Sequence, residues 1–163
     1  MIFYDGIQLV TAIEEGDVTK IKKILAPTDL SKLSRPALLY ALELAAEQNA
    51  AVIVYHVISE DSDWFGGDDR LNPAIALVPQ QRERLHAFMN EHFADLMKKV
   101  PLTEIVEAGV PYNRIVEKAE QENADLIVMS THGRTGFQQV LLGSVTAKVV
   151  ARAGCPVLSL RPA

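Results

Sequence analysis

The chain has 163 residues, 48% of them apolar, a net charge of −5 and one cysteine, Cys155, which suits one domain with a sizeable core. The acidic balance argues against a general nucleic-acid binder, which needs a basic surface to displace phosphate counterions, but not against one nucleotide held through backbone N–H groups. A single thiol excludes an internal disulfide framework and a cysteine-rich zinc site, and makes a reducing cytoplasm the expected compartment.

Residues 1–19 precede the first strand and carry Asp5, Glu14, Glu15 and Asp17. They lack a basic n-region, and Asp5-Gly6 interrupts the apolar residues early, so they do not read as a signal peptide. They read as an extension, either an arm on a partner subunit or a frayed tail. Residues 20–163 read as one domain.

The first apolar run is "IKKILAPTD", Ile21 to Asp29. A helical pattern follows from Ser34 to Gln48, with Leu38, Leu39, Leu42, Ala45 and Ala46 at helical spacing. Ser34 is placed to cap it, and Pro36 lies in its first turn, where a missing N–H does no harm. The second run, "AVIVYHVI" (Ala51 to Ile58), is continuous and rich in Val and Ile, as a parallel strand buried on both faces should be. The longest apolar stretch, "AAVIVYHVI", is about half the ~20 residues a membrane helix needs.

Ser59 to Pro79 reads as a long loop from its Asp, Gly and Pro content. "DSDWFGGDD" within it fails as a calcium loop. With Asp61 at position one, Phe65 and Asn72 fall where an EF-hand needs an oxygen ligand and a bidentate Glu. Gln80 to Val100 reads as a helix with an apolar stripe of Leu85, Phe88, Met89, Phe93, Leu96 and Met97. The third run, "LTEIVEAG" (Leu102 to Gly109), alternates more and suits a sheet edge. Tyr112 to Asn123 is helical, with Ile115, Val116 and Ala119 facing inward. The fourth run is "DLIVMST", Asp125 to Thr131. Ser144 to Ala153 is the last helix, stopped at Gly154, and "PVLSLRP" (Pro156 to Pro162) is the fifth run. Cys155 reads as a small packed residue near that strand's start.

This alternation implies right-handed crossovers and a parallel α/β sheet. Ligands in such sheets bind at the carboxyl ends of the strands, at the topological switch point. Attention therefore falls on Ala26-Pro27-Thr28-Asp29, His56-Val57 and Ser130-Thr131-His132-Gly133. No histidine pair has the i,i+4 spacing of a helical zinc site. Ser130 and Ser144 lack the Gly-x-Ser-x-Gly frame of a nucleophile elbow. The glycine loop is neither a Walker A loop, lacking the Lys before Ser144, nor Gly-x-Gly-x-x-Gly.

What remains is Ser130-x2-Gly133-x9-Gly143-Ser144. Gly133 lets backbone approach a ligand, and Gly143-Ser144 opens a helix whose free N–H groups and positive dipole end favour an anion. Ser144 is either N-cap alone or N-cap and phosphate ligand. Arg134 either adds charge there or is simply solvated. Asp29 either bonds N–H groups of its own turn or accepts bonds from a base or ribose.

Together these residues resemble the universal stress protein family. The resemblance runs from Lys20 to Arg161 and includes "ILAPTDLS", "VIVYHV", "ADLIVMSTHGRTG", "LLGSVTAKVV" and "CPVLSLR". The family's nucleotide-binding branch carries Gly-x2-Gly-x9-Gly-[Ser/Thr]. Here Gly133, Gly143 and Ser144 match, and Ser130 replaces the first glycine. The resemblance implies a five-stranded doubly wound parallel sheet of order 3-2-1-4-5, adenine nucleotide alpha hydrolase-like. It implies ATP as ligand, with Mg²⁺ or Mn²⁺ held through the phosphates rather than by protein ligands. Pro27, Thr28 and Asp29 would line the base and ribose side, and Val57 would hold adenine by backbone contacts. Met129 would lie against the ligand, and Val145 and Thr146 would extend the phosphate end. A homodimer paired through Val157 to Leu160 is implied as well. No catalytic base or nucleophile stands out, so the chain reads as a binding or signalling protein of stress adaptation. The alternatives are a dimeric interaction protein that has lost the nucleotide, which Ser130 favours, and a slow ATPase acting through positioned water.

Overall fold

Seven strands form one sheet in a computed structural model that describes residues 2–4, 7–10, 20–59, 73–131 and 143–161. In chain order the elements begin with β1 (Ile2–Tyr4), β2 (Ile7–Val10) and β3 (Lys23–Pro27). A 3-10 turn at Lys32–Ser34 leads into α1 (Arg35–Gln48), then β4 (Ala51–Ser59), α2 (Pro73–Ala76) and α3 (Val78–Met97). β5 (Leu102–Gly109), α4 (Pro111–Gln121), β6 (Leu126–Ser130), α5 (Ser144–Arg152) and β7 (Val157–Leu160) complete the chain.

The five parallel strands lie in the order β5-β4-β3-β6-β7, which is the expected 3-2-1-4-5. Their Val- and Ile-rich sequences follow from burial on both faces. Ile24, Val52, Val54, Leu126 and Val128 face α1 and α3. Leu25, Ile53, Tyr55, Ile127 and Met129 face the layer of Ile115, Ala119 and Val149 on α4 and α5. The third run, expected at an edge, is the edge strand β5.

The sheet differs from the five-stranded expectation at its other side. β2 adds antiparallel to β7, and β1 adds antiparallel to β2. The signal for this pair was in the sequence: Asp5-Gly6 between two short apolar runs is a strong hairpin dipeptide. The segment expected as a loop to Pro79 also differs, since α2 and the first residues of α3 occupy its end. Pro79 sits in the first turn of α3, where proline lacks only an N–H that has no helical partner. The earlier part of that loop, with "DSDWFGGDD", lies outside the described residues. No described helix is long and apolar enough to cross a membrane.

Candidate functional site

β3 has β4 on one side and β6 on the other: the chain winds outward through β4 and β5, returns through α4 to β6 beside β3 and then winds the other way, so a crevice opens at the carboxyl end of β3. Its sequence widens that crevice. Pairing with β6 covers only Ile24 and Leu25, whereas pairing with β4 continues to Pro27. Thr28 N–H donates to the Tyr55 carbonyl of β4 at 2.9 Å. Successive N–H groups point to opposite neighbours, so the donor that Pro27 lacks is the one that would face β6. A cavity of about 560 Å³ fills the gap, within the range of small-molecule sites.

The chain folds back sharply after β3 through side-chain hydroxyls. Ser34 Oγ donates to the Ser31 carbonyl at 2.8 Å, which uses its only proton. The Thr28 hydroxyl, 2.8 Å from Ser34 Oγ, is therefore the donor between them. Thr28 Oγ1 also accepts from Leu30 N–H at 3.1 Å, and Asp29 Oδ1 accepts from Ser31 N–H at 3.0 Å. These bonds hold Leu30 at φ +62°, a conformation uncommon for a residue with a Cβ. They correct the expectation for Ser34. It makes no side-chain cap on α1, because its hydroxyl is committed to this turn on the cavity wall.

His56 is 6% exposed, and its Nδ1 lies 2.8 Å from the Thr28 carbonyl. A carbonyl can only accept, so the proton sits on Nδ1. Tyr55, fully buried, donates to Glu107 Oε2 at 2.7 Å, and Lys118 Nζ pairs with Glu107 Oε1. Burial, then the bond to Glu107 and its negative charge, push the Tyr55 phenol far above its ordinary range. Burial by itself would raise the Glu107 carboxyl. The bonds from Lys118 and Tyr55, with the positive charges of Lys118 and Arg114, outweigh it and hold the carboxyl below its ordinary value. This network was not legible beforehand, since Tyr55, Glu107 and Lys118 are distant in sequence and each reads alone as a strand or helix residue.

The opposite wall is β6 and α5. Gly143 N–H donates to the Thr131 carbonyl at 2.7 Å, which seats the start of α5 beside the end of β6. Gly143 is the N-cap residue, with extended backbone (φ −61°, ψ 152°), and Ser144 is the first helical residue. Ser144 was expected as the cap; it stands one position inside, and neither residue makes a side-chain cap bond. The first intrahelical bond runs from Ala147 N–H to the Gly143 carbonyl at 2.9 Å. The N–H groups of Ser144, Val145 and Thr146 are thus those an α-helix leaves without an intrahelical acceptor. Thr146 Oγ1 donates to the Ser130 carbonyl at 2.9 Å, tying helix to strand.

Of the residues singled out in the sequence, Pro27, Thr28, Asp29, Val57, Met129, Ser130, Gly143, Ser144, Val145 and Thr146 all line this one cavity. Gly133 and Arg134 lie outside the described residues, as does His132. The cavity also takes Leu77 and Gln81 from the start of α3 and Pro111 from α4, which sequence reasoning missed. Cys155 packs against the core on the α4–α5 side of the sheet, and burial, then the negative charge of Asp125, raises its thiol, which suits packing rather than reactivity. The arrangement joins a mostly apolar pocket to a helix N-terminus, a geometry that can hold a planar group at one end and an anion at the other.

Fold and site thus define a doubly wound α/β protein with an anion-ready cleft at its switch point. A sequence model described as the universal stress protein family matches residues 20–161, and the chain belongs to that family. Universal stress protein MJ0531 of Methanocaldococcus jannaschii is 36% identical over 151 residues, covering 86% of this chain and 82% of the relative. Universal stress protein MJ0577 of the same organism is 31% identical over 153 residues, covering 86% and 94%. The solved structure of MJ0577 superimposes with a TM-score of 0.73 at 29% identity, covering 89% of this chain and 99% of that one. A universal stress protein solved in complex with cAMP shares the fold at a TM-score of 0.63 and 23% identity, covering 88% and 98%.

Proposed function

We propose that the chain binds ATP, or a related adenine nucleotide, in the cavity between β3 and β6, and works as a cytoplasmic binding or signalling protein in stress adaptation. One observation carries the reading. Strand ends and a helix start that are far apart in sequence converge on a single cavity, and α5 aims its N-terminus there. Pro27, Thr28, Asp29 and Val57 would take the base and ribose. Ser130, Gly143, Ser144, Val145 and Thr146 would take the phosphates, with Gly133 and Arg134 from the adjoining loop and Met129 against the ligand. Mg²⁺ or Mn²⁺ would ride on the phosphates; among the described residues no cluster of His, Cys, Asp or Glu offers three metal ligands. The same reading includes a homodimer through Val157–Leu160, which requires β2 to leave that edge.

A second reading, an interaction protein without nucleotide, draws on Ser130. It is 9% exposed and lines the cavity, with a Cβ where the family loop has glycine. Denaturing the purified protein and identifying the released small molecule by mass spectrometry, with calorimetric titration of Mg-ATP, separates the two. A released adenine nucleotide or a saturable heat is expected. Neither signal leaves the interaction protein as the function. ATP turnover that disappears in Gly143→Val would identify a slow ATPase, whereas turnover surviving that change would be contamination.

A further inference from the structure

The cleft is short of positive charge. Among the described residues that line it there is no lysine and no arginine, and Asp29 adds an acidic side chain. The free N–H groups at the start of α5 supply partial charge only, since a helix end carries about half an elementary charge. A nucleoside triphosphate with Mg²⁺ on its phosphates still carries net negative charge, and holding it beside Asp29 without a cation is costly.

A cation stands one helical turn away. Lys148 follows Ser144 by four residues, about 6 Å along α5. Residues at this spacing share a helix face, and helical side chains lean toward the N-terminus, so the Lys148 stem points back toward the level of Ser144. Both are exposed whereas Thr146 is buried, which puts Lys148 on the solvent side of the helix start. Among the described residues its ammonium has no carboxylate partner; it lies over the Tyr112 ring, 4.6 Å from the ring centre.

Tyr112 belongs to the wall of the cleft. Pro111 before it and Val145 both line the cavity, and Tyr112 and Val145 pack on the same apolar cluster. The ring also carries Arg152, whose Cζ stands 4.8 Å from its centre and whose Nη1 donates to Asn113 Oδ1 at 3.4 Å. Arg152 thus has a second anchor, and Lys148 has only the ring. Two cations on one ring repel each other, and an exposed cation–π contact is weaker than a charge-assisted bond to phosphate. Lys148 is the one that can leave, and its flexible four-carbon stem gives it reach.

We infer that Lys148, held on Tyr112 beside the cleft, turns to the outermost phosphate of the bound nucleotide and sets a preference for a triphosphate over a monophosphate. The main-chain N–H groups of α5 serve whichever phosphate lies at the helix start. Lys148, on the solvent side, meets only a tail that extends past them. The inference rests on the nucleotide reading and adds to it the part of the ligand that the chain recognises by charge.

Calorimetric titration of ATP and of AMP at fixed Mg²⁺ tests it, in the unaltered chain and in Lys148→Gln. The unaltered chain should bind ATP more tightly than AMP. In Lys148→Gln the ATP affinity should fall about tenfold or more, the size of a lost bond between a cation and a phosphate, while AMP affinity and melting temperature stay unchanged. Lys99→Gln, exposed just before β5 at the amino end of the sheet, makes the same change of net charge and should leave ATP affinity as it was. ATP affinity retained in Lys148→Gln overturns the inference, as it would if Arg134 from the adjoining loop supplied the cation. An equal loss for ATP and AMP also overturns it, because the lysine then supports the site as a whole. So does an equal loss in Lys99→Gln, which would mark a diffuse field rather than a bond. In each of these cases nucleotide still binds the unaltered chain; absence of heat with both nucleotides instead defeats the nucleotide reading and the inference with it.

Discussion

The two walls of the cleft are built on opposite principles. On the β3–β4 wall, side chains satisfy one another: Thr28 with Ser34 and Leu30, Asp29 with Ser31, His56 with the Thr28 carbonyl, Tyr55 with Glu107. On the β6–α5 wall, the groups aimed at the cavity are main-chain N–H groups that a helix start leaves over. The first wall commits its polar groups to its own shape. The second leaves its donors without an intrahelical acceptor. A change on the first wall should therefore cost folding stability, and a change on the second should cost ligand affinity.

The largest expected effect tests the first half of that contrast. Lys118→Met leaves the Glu107 carboxylate half-buried without its cation, and stability measured by urea unfolding should fall by about 2–4 kcal/mol, the lower part of the range for a broken buried pair because Glu107 keeps some contact with water. A double variant, Lys118→Met with Glu107→Gln, should recover part of the loss. Thr28→Val comes next. It strands Leu30 N–H and removes the bond that Ser34 Oγ accepts, in a turn already strained at Leu30, and about 1–3 kcal/mol should be lost in the same measurement. An effect confined to Mg-ATP affinity with no loss of stability would break the comparison.

The other wall is probed by Gly143→Val. Its φ of −61° is open to any residue, so the melting temperature should hardly move. The added side chain crowds the helix start, and Mg-ATP affinity read by calorimetry should drop at least ~10-fold, about 1.4 kcal/mol. A large fall in melting temperature with affinity retained would reverse the assignment of the two walls.

Much of this contrast could be seen beforehand, and the part that could not has a common cause. The positions of Thr28, Asp29, Ser130, Gly143 and Ser144 followed from strand and helix patterns, since a residue ending an apolar run before a helix must sit at a sheet's carboxyl end. The bonding partners of those side chains did not. Ser34 reads as a helix cap because serine before a helix usually is one. It turned away because Thr28, six residues earlier, offered a buried partner. Tyr55 on a Val-rich strand reads as core, and the Glu107–Lys118 pair that its hydroxyl joins depends on the packing of β5 and α4.

The pH profile sharpens the contrast at lower amplitude. Glu107 has its carboxyl lowered in the folded state, so its contribution is full above its ordinary value of 4.5 and is lost as pH falls below it. Tyr55 has its phenol raised, so its contribution is full below its ordinary value of 10.0 and is lost as pH rises above it. Urea midpoints should show a plateau between these limits, and Lys118→Met should steepen neither limb while flattening the acid one. The smallest effect is expected from Thr146→Val, at a place where the second wall does carry a side-chain bond: losing the donation to the Ser130 carbonyl should lower stability in urea unfolding by about 0.5–1.5 kcal/mol.

Local pattern alone determined the alternating strands and helices, the parallel sheet they imply, and the set of residues at its carboxyl end. Periodicity and capping act over a few residues, and a single chain displays them without reference to anything distant. Tertiary structure alone decided which polar groups on the cleft satisfy one another and which face the cavity. It also decided that β7 is covered by a hairpin from the chain's own start. Both depend on partners brought together across long loops, where many pairings are open to the chain and packing selects one.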